Sequence, residues 1–225
     1  MRVLAVVAHP DDEVLGCGGT LSLHAKRGDD VGVVTLTNGV SAREGSTEIE
    51  ASCREKMLER SCENLGVILK ARFDYPDNGL DSVPLINIIR SLESVLFEFR
   101  PELVYTHFSG DLNVDHRIVN QAVLTACRPT PSESVEEIRA FEVVSSTHWN
   151  GGGNLFNPNL FIDISEAKEV KRKSIEIYRE EFRPFPHQRS IEAVEALELM
   201  RGTSVGVSYA EAFSIIRKVC KLSRI

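Results

Sequence analysis

Residues 3–13 read Val3-Leu4-Ala5-Val6-Val7-Ala8-His9-Pro10-Asp11-Asp12-Glu13. The first six form a continuous apolar run rich in β-branched side chains and bounded by a proline turn, the pattern of a strand covered on both faces. The same pattern recurs at 31–36 and, more briefly, at 103–106, with further strand candidates at 141–146 and 160–164. Segments of helical period separate them. Between Glu48 and Leu65, Ile49, Cys53, Met57, Leu58, Cys62 and Leu65 recur three to five apart and draw one apolar stripe. Residues 85–99 and 118–126 behave alike. Strands alternating with long helices predict an α/β, Rossmann-like fold, a mainly parallel sheet with helices on both faces. The carboxy-terminal third is less regular. A glycine- and asparagine-rich loop is expected over 147–159, a proline-rich loop over 183–189, and helices over 190–201 and from Ser208 onward.

With 225 residues, 42% hydrophobic and 26% charged, the chain has ordinary globular usage and suits one domain over 1–225. The net charge of −7 repels phosphate backbones, so no nucleic-acid partner is expected. The five cysteines, Cys17, Cys53, Cys62, Cys127 and Cys220, are odd in number, scattered, and without a C-x-x-C pair. That pattern indicates neither a disulfide framework nor a cysteine metal site. The amino terminus turns acidic too early for a signal peptide, and no apolar run approaches the ~18 residues of a membrane span. A cytoplasmic protein without stable membrane insertion is the expectation, and a homo-oligomer is compatible with it.

In open parallel sheets, ligands bind beyond the carboxyl ends of strands. Two such loops carry metal-ligand side chains. In the first, His9 and Asp12 stand three apart across a turn and can converge on one point, with Asp11 free beside them. A metal-activated water and its base would look like this. The second loop runs His107-Phe108-Ser109-Gly110-Asp111-Leu112-Asn113-Val114-Asp115-His116, and His116 can supply a third ligand. Two histidines and one carboxylate with water at the open position form a standard catalytic zinc set. Spacing alone leaves the alternative open that these aspartates only cap helices. Gly16-Cys17-Gly18-Gly19 lacks the full dinucleotide fingerprint, so close helix–strand packing is its expected purpose. Cys17 reads as a small buried hydrophobe and His24 as a packed helix residue.

Ala8-His9-Pro10-Asp11-Asp12-Glu13 followed by Gly16-Cys17-Gly18-Gly19 closely resembles the signature of the LmbE-like (PIG-L) family of zinc-dependent de-N-acetylases. Arg54-Glu55, Leu65-Gly66-Val67, Pro76-Asp77-Asn78-Gly79-Leu80 and Asp115-His116 are similar to later family landmarks, so the resemblance covers about the first 125 residues well. It implies His9, Asp12 and His116 as ligands of Zn²⁺ or another divalent transition metal, and Asp11 as general base. Many members have a histidine where this chain has Asn113; an amide there donates to an oxyanion but delivers no proton. Arg54 and Asp77 resemble substrate-contacting positions. His107 and His187 complete the candidate substrate contacts, with His148 as a further loop histidine. Tyr209-Ala210-Glu211-Ala212-Phe213 resembles a motif near the tail of some members, which helix packing explains equally well.

The expected activity is removal of an acetyl group from an N-acetylglucosamine-type conjugate, a small-molecule partner. Rivals are a metal-dependent hydrolase of another amide or ester and a non-catalytic sugar- or nucleotide-binding module. Specificity is expected in 38–47 and in the loops around Gly151 and His187.

Overall fold

In the computed structural model, which describes residues 1–129, 135–149 and 153–220, the first strand divides its side chains between two cores. Strand β1 (Arg2–Val7) turns Val3, Ala5 and Val7 into one apolar cluster, while Leu4, Val6 and the following Ala8 enter another. A two-faced strand has to lie mid-sheet, because each face needs a layer of helices. Along the chain follow α1 (Asp12–Lys26), β2 (Asp30–Thr37), α2 (Glu48–Leu65), β3 (Ile68–Tyr75), α3 (Leu85–Phe99), β4 (Leu103–His107), α4 (Val114–Ala126) and β5 (Glu137–Phe141). The remainder is β6 (Leu160–Asp163), α5 (Lys168–Ile177), α6 (Ile191–Thr203) and β7 (Ala210–Lys218). The sheet order is β3-β2-β1-β4-β5-β7-β6. Strands β1 to β5 pair in parallel, and β7 is antiparallel to both β5 and β6. Leu58 and Cys62 of α2 and Ile175 of α5 pack with Val14 and Leu21 of α1 on one face. Ile88 and Leu92 of α3 and Val119 and Val123 of α4 cover the other.

Helices α2 and α3 have the bounds their apolar stripes predict. Helix α2 opens on a capping box in which Thr47 and Glu50 satisfy each other's backbone amides, and it closes on Gly66 at φ 75°. Other expectations are corrected. The strand expected over 141–146 ends where it was to begin, since β5 closes at Phe141. Strand β3 and helix α5 were not anticipated. The helix expected from Ser208 is the strand β7: Ala210, Glu211 and Ala212 favour helix locally, but pairing on both sides overrides that propensity. In the long loop, Thr147–Trp149 forms a short 3-10 turn, and residues 150–152, with Gly151, lie outside the described residues.

The glycine stretch serves close packing, as expected. A Cβ on Gly16 would stand 2.2 Å from the Phe141 ring, and one on Gly19 would stand 2.9 Å from Ile164. Helix α1 also breaks its regular geometry at Cys17 (φ −151°, ψ 16°). Glu211 of β7 caps the helical segment beyond the break: Oε1 accepts the Gly19 N–H at 2.9 Å and Oε2 the Thr20 N–H at 2.7 Å. Buried Lys171 neutralises this carboxylate at 2.7 Å and pairs with Glu198 at 2.8 Å. Replacing Lys171 with Met leaves two buried carboxylates without their cation and is expected to cost about 3–5 kcal/mol in denaturant unfolding. A loss under about 1 kcal/mol would mean that water solvates Glu211 and Glu198 instead.

Candidate active site

Strands β1 and β4 are neighbours whose chains leave for opposite faces, α1 on one and α4 on the other, so a crevice opens beyond their carboxyl ends. The loop after β1 brings His9, Asp11 and Asp12 there. The loop after β4 brings Asp111, Asp115 and His116, and the turn after β3 brings Asp77.

His9 Nδ1 lies 3.1 Å and His116 Nε2 3.3 Å from the same atom, Asp12 Oδ2. Two donors about 2.0–2.1 Å from a tetrahedral zinc are themselves about 3.3 Å apart, so this spacing fits a metal between them. The far nitrogens of both rings face carboxylates. His9 Nε2 lies 3.2 Å from Asp115 and 3.3 Å from Asp77, and His116 Nδ1 lies 3.2 Å from Asp111. Carboxylates in these positions fix ligand tautomers and raise ligand basicity. His9, Asp77 and Asp115 also lie close enough to be a metal group. Because Nδ1 is already aimed at Asp12, the two carboxylates on Nε2 read better as orienters.

Charge follows geometry. Burial drives the His9 imidazole down, but its bonds to Asp115 and Asp12 outweigh burial and lift it to about 10. A metal held by Nδ1 has to displace that proton, so metal binding is linked to proton release. Burial opposes charge on Asp12 as well, yet His116 and His107 hold it well below the usual carboxylate range. His116 is raised against its burial by Asp12 and Asp111. His107 is driven far down by burial and then by His116.

Asp11 sits at the N-terminus of α1 with φ 107° and ψ −23°, and its side chain caps nothing. That conformation costs a non-glycine residue about 1–3 kcal/mol. Its carbonyl accepts the Val14 and Leu15 amides at 3.1 and 3.0 Å, and its own N–H donates to Glu13 Oε2 at 2.9 Å. Glu13 is in turn held by Ser61 at 2.9 Å and the Tyr178 hydroxyl at 2.6 Å, while burial raises it to about 7. The Asp11 carboxylate has no exposed surface. Arg54 donates to its Oδ2 at 2.7 Å, and Arg189 donates to the same oxygen.

The remaining sequence candidates lie around this centre or beyond it. Asn113 caps α4, accepting the Asp115 amide at 2.8 Å and donating to Asn78 at 3.2 Å. Asp77 receives the Ala42 amide at 3.3 Å and Thr37 Oγ1 at 3.4 Å. His107 has no exposed surface; its Nε2 accepts the Ala8 amide at 2.9 Å and its ring stacks on His116 at 3.9 Å. His187 is exposed and accepts the Arg189 amide at 2.9 Å. His148 pairs with Glu142 at 2.8 Å, which Arg201 also holds. Sequence reasoning missed Arg189 and Asp111 as partners of the centre, and placed Asp115 in a family motif without a role of its own. Asp111 and Asp115 stood in the quoted loop, their spacing to His116 being the available signal, whereas no local pattern marks Arg189.

This crevice, with two histidines and a carboxylate converging beside a second carboxylate, is that of an α/β metal-dependent hydrolase. The family model for PIG-L, GlcNAc-PI de-N-acetylase, matches residues 4–127, and the chain belongs to this family of deacetylases. Diacetylchitobiose deacetylase of Thermococcus kodakarensis is 28% identical over 231 residues, spanning 96% of this chain and 83% of that one. A conserved protein of Thermus thermophilus superposes with a TM-score of 0.79 at 27% identity, covering 98% of this chain and 96% of the other. GalB, the 4-carboxy-2-hydroxymuconate hydratase of Pseudomonas putida, superposes with a TM-score of 0.77 at 24% identity over 98% of each chain. That likeness is one of fold alone.

Asp111→Ala removes the carboxylate from His116 Nδ1 and is expected to weaken metal binding about 10–100-fold in a competition titration with a chelator. Unchanged affinity would show that Asp111 serves only the Asn113 amide and the Ser146 and Thr147 hydroxyls it also accepts.

Proposed function

We propose that the chain is a zinc-dependent hydrolase that removes the acetyl group from an N-acetylglucosamine-type conjugate, with residues 1–225 acting as one deacetylase domain. The convergence of His9, Asp12 and His116 beside an uncapped Asp11 carries this proposal. The two imidazoles and one carboxylate suit zinc, and another divalent transition metal takes the same donors. Bound there, the metal supplies Lewis-acid polarisation and lowers the pKa of water toward ~7.

The chain's own residues do the rest. Asp11 takes a proton from the water whose oxygen adds to the acetamide carbonyl carbon. As the C–N bond breaks, the same carboxyl returns a proton to the departing nitrogen, so acetate and a primary amine leave. Asn113 serves by capping α4 and setting His116, with one of its two amide N–H groups donated to Asn78. His107 backs His116 and holds the Ala8 amide, and makes no substrate contact. Arg54 acts through Asp11, and Asp77 through the Ser41–Ala42 stretch that its carboxylate and amide grip.

Asp11 weighs against a non-catalytic binding module: a strained residue that caps no helix is better explained as a reacting group. A hydrolase of another amide or ester would use the same centre and differ at the rim. The partner is a small molecule, since the −7 charge disfavours nucleic acid. Among the described residues no helix is long and apolar enough to cross a membrane. Five free cysteines fit a reducing, cytoplasmic setting.

Release of primary amine from a panel of N-acetylglucosamine conjugates, with zinc added, tests this directly. Asp11→Asn is expected to keep the metal and lose about 10²–10⁴ in turnover, whereas His116→Ala loses the metal. Equal metal loss in both variants would overturn the division of roles, and no amine from any conjugate would move the assignment to another acyl substrate.

A further inference from the structure

Two guanidinium groups meet on one oxygen of Asp11, and they come from distant parts of the chain. Arg54, 3% exposed, arrives from α2. Its Nη2 is shared between Asp11 Oδ2 at 2.7 Å and the Pro10 carbonyl at 2.5 Å, and its Nη1 lies 3.1 Å from Glu181. Arg189 arrives from the segment before α6 and gives Nη2 to the same Oδ2. Asp11 Oδ1 is buried and accepts no hydrogen bond.

The segment carrying Arg189 is anchored at its ends, where Phe182 and Ile191 pack against the core and buried Ser190 caps α6, with little to fasten it between them. Residues 183–188 are all exposed. Its own bonds are internal: the Arg183 amide to the Arg189 carbonyl at 2.8 Å, the His187 amide to the Pro184 carbonyl at 3.1 Å, and the Arg189 amide to His187 Nδ1 at 2.9 Å. Phe185 is 67% exposed and buries no anchor. The charged pair with Asp11 is therefore the bond that joins this strap to the base of the crevice.

We propose that Arg189 is a positioning residue, which fastens residues 183–190 over the crevice and, with Arg54, holds Asp11 Oδ2 so that Oδ1 is the oxygen left to accept a proton from water. This deepens the proposed deacetylation and rests on it. A carboxylate torsion is broad when unrestrained, and two charge-assisted donors on one oxygen fix both its rotation and which oxygen stays free. Arg54 alone cannot do this, because its Nη2 is divided between Asp11 and Pro10. A misplacement of about 1 Å in a reacting group costs up to ~10²-fold in rate. Arg189 thus governs the chemical step and leaves substrate affinity to other residues.

The test uses Arg189→Ala in the zinc-loaded full chain with the best conjugate of the panel. The expected result is a fall in kcat of about 10–100-fold with KM within about twofold and unchanged metal content. Guanidinium ion at millimolar concentration should restore part of kcat in the variant and none in the parent, and Arg189→Lys should retain more kcat than Arg189→Ala. An unchanged kcat, or a rise confined to KM, overturns the proposal. Hydrogen–deuterium exchange over 183–190 reads the fastening without any substrate. It should quicken in Arg189→Ala and in Asp11→Asn alike, and unchanged exchange in Asp11→Asn overturns the strap. Quickened exchange without amine release from any conjugate would support the strap and remove the deacetylase assignment, so the two failures are distinguishable.

Discussion

Everything at the crevice depends on the reversal between Ala8 and Asp12. His9 donates its backbone amide to the Asp12 carboxylate at 2.9 Å, and its ring points at the same oxygen. A single oxygen thus closes the turn and collects the ring of His116 from the neighbouring strand. Because that oxygen is engaged, the residue in between is forced out of the helical path into the left-handed region. The strain at Asp11 and the convergence of the ligands are therefore one geometric fact. Glu13 makes it tolerable by accepting the Asp11 amide that the turn leaves unpaired.

The crevice concentrates charge, and its stability comes from pairing. Asp12, Asp77, Asp111 and Asp115 surround two imidazoles, while two arginines face Asp11. Each imidazole presents one nitrogen to Asp12 and keeps the other against a carboxylate behind it, so neither ring can turn without breaking a charged contact. His107 adds a stacked plane behind His116, and burial drives its own imidazole down. The cluster stays rigid because removing any member leaves another buried and unpaired.

What could be read from the sequence follows from how far each signal reaches along the chain. Helices α2 and α3 were legible to the residue because their apolar stripes repeat locally. Strand β3 lacks the continuous apolar run that marks β1 and β2; its signal is instead the alternation of Lys70, Arg72 and Asp74 with Leu69, Ala71 and Phe73, the period of a half-exposed edge strand. Helix α5, Lys168–Ile177, hides behind charged residues, one of which, Lys171, is in fact buried. The convergence of His9, Asp12 and His116 was legible because strand ends gather in parallel sheets. The bond from Asn113 to Asn78 left no sequence signal, because only the folded chain brings the two amides together. Arg189 and Tyr178 left no trace, as their partners lie more than 160 residues earlier.

Residues 4–127 carry the family signature, yet Tyr178, Arg189 and Glu211 all land on the first twenty residues. On the ribosome, the turn at Asp11 and the amides of Gly19 and Thr20 therefore emerge long before their partners exist. The first 141 residues carry β1 to β5, but the buried carboxylate of Glu13 waits for Tyr178 and the broken helix beyond Cys17 for Glu211 of the last strand. The catalytic end of the protein matures last in synthesis although its residues are made first, which gives a nascent or truncated chain a sheet without a working centre.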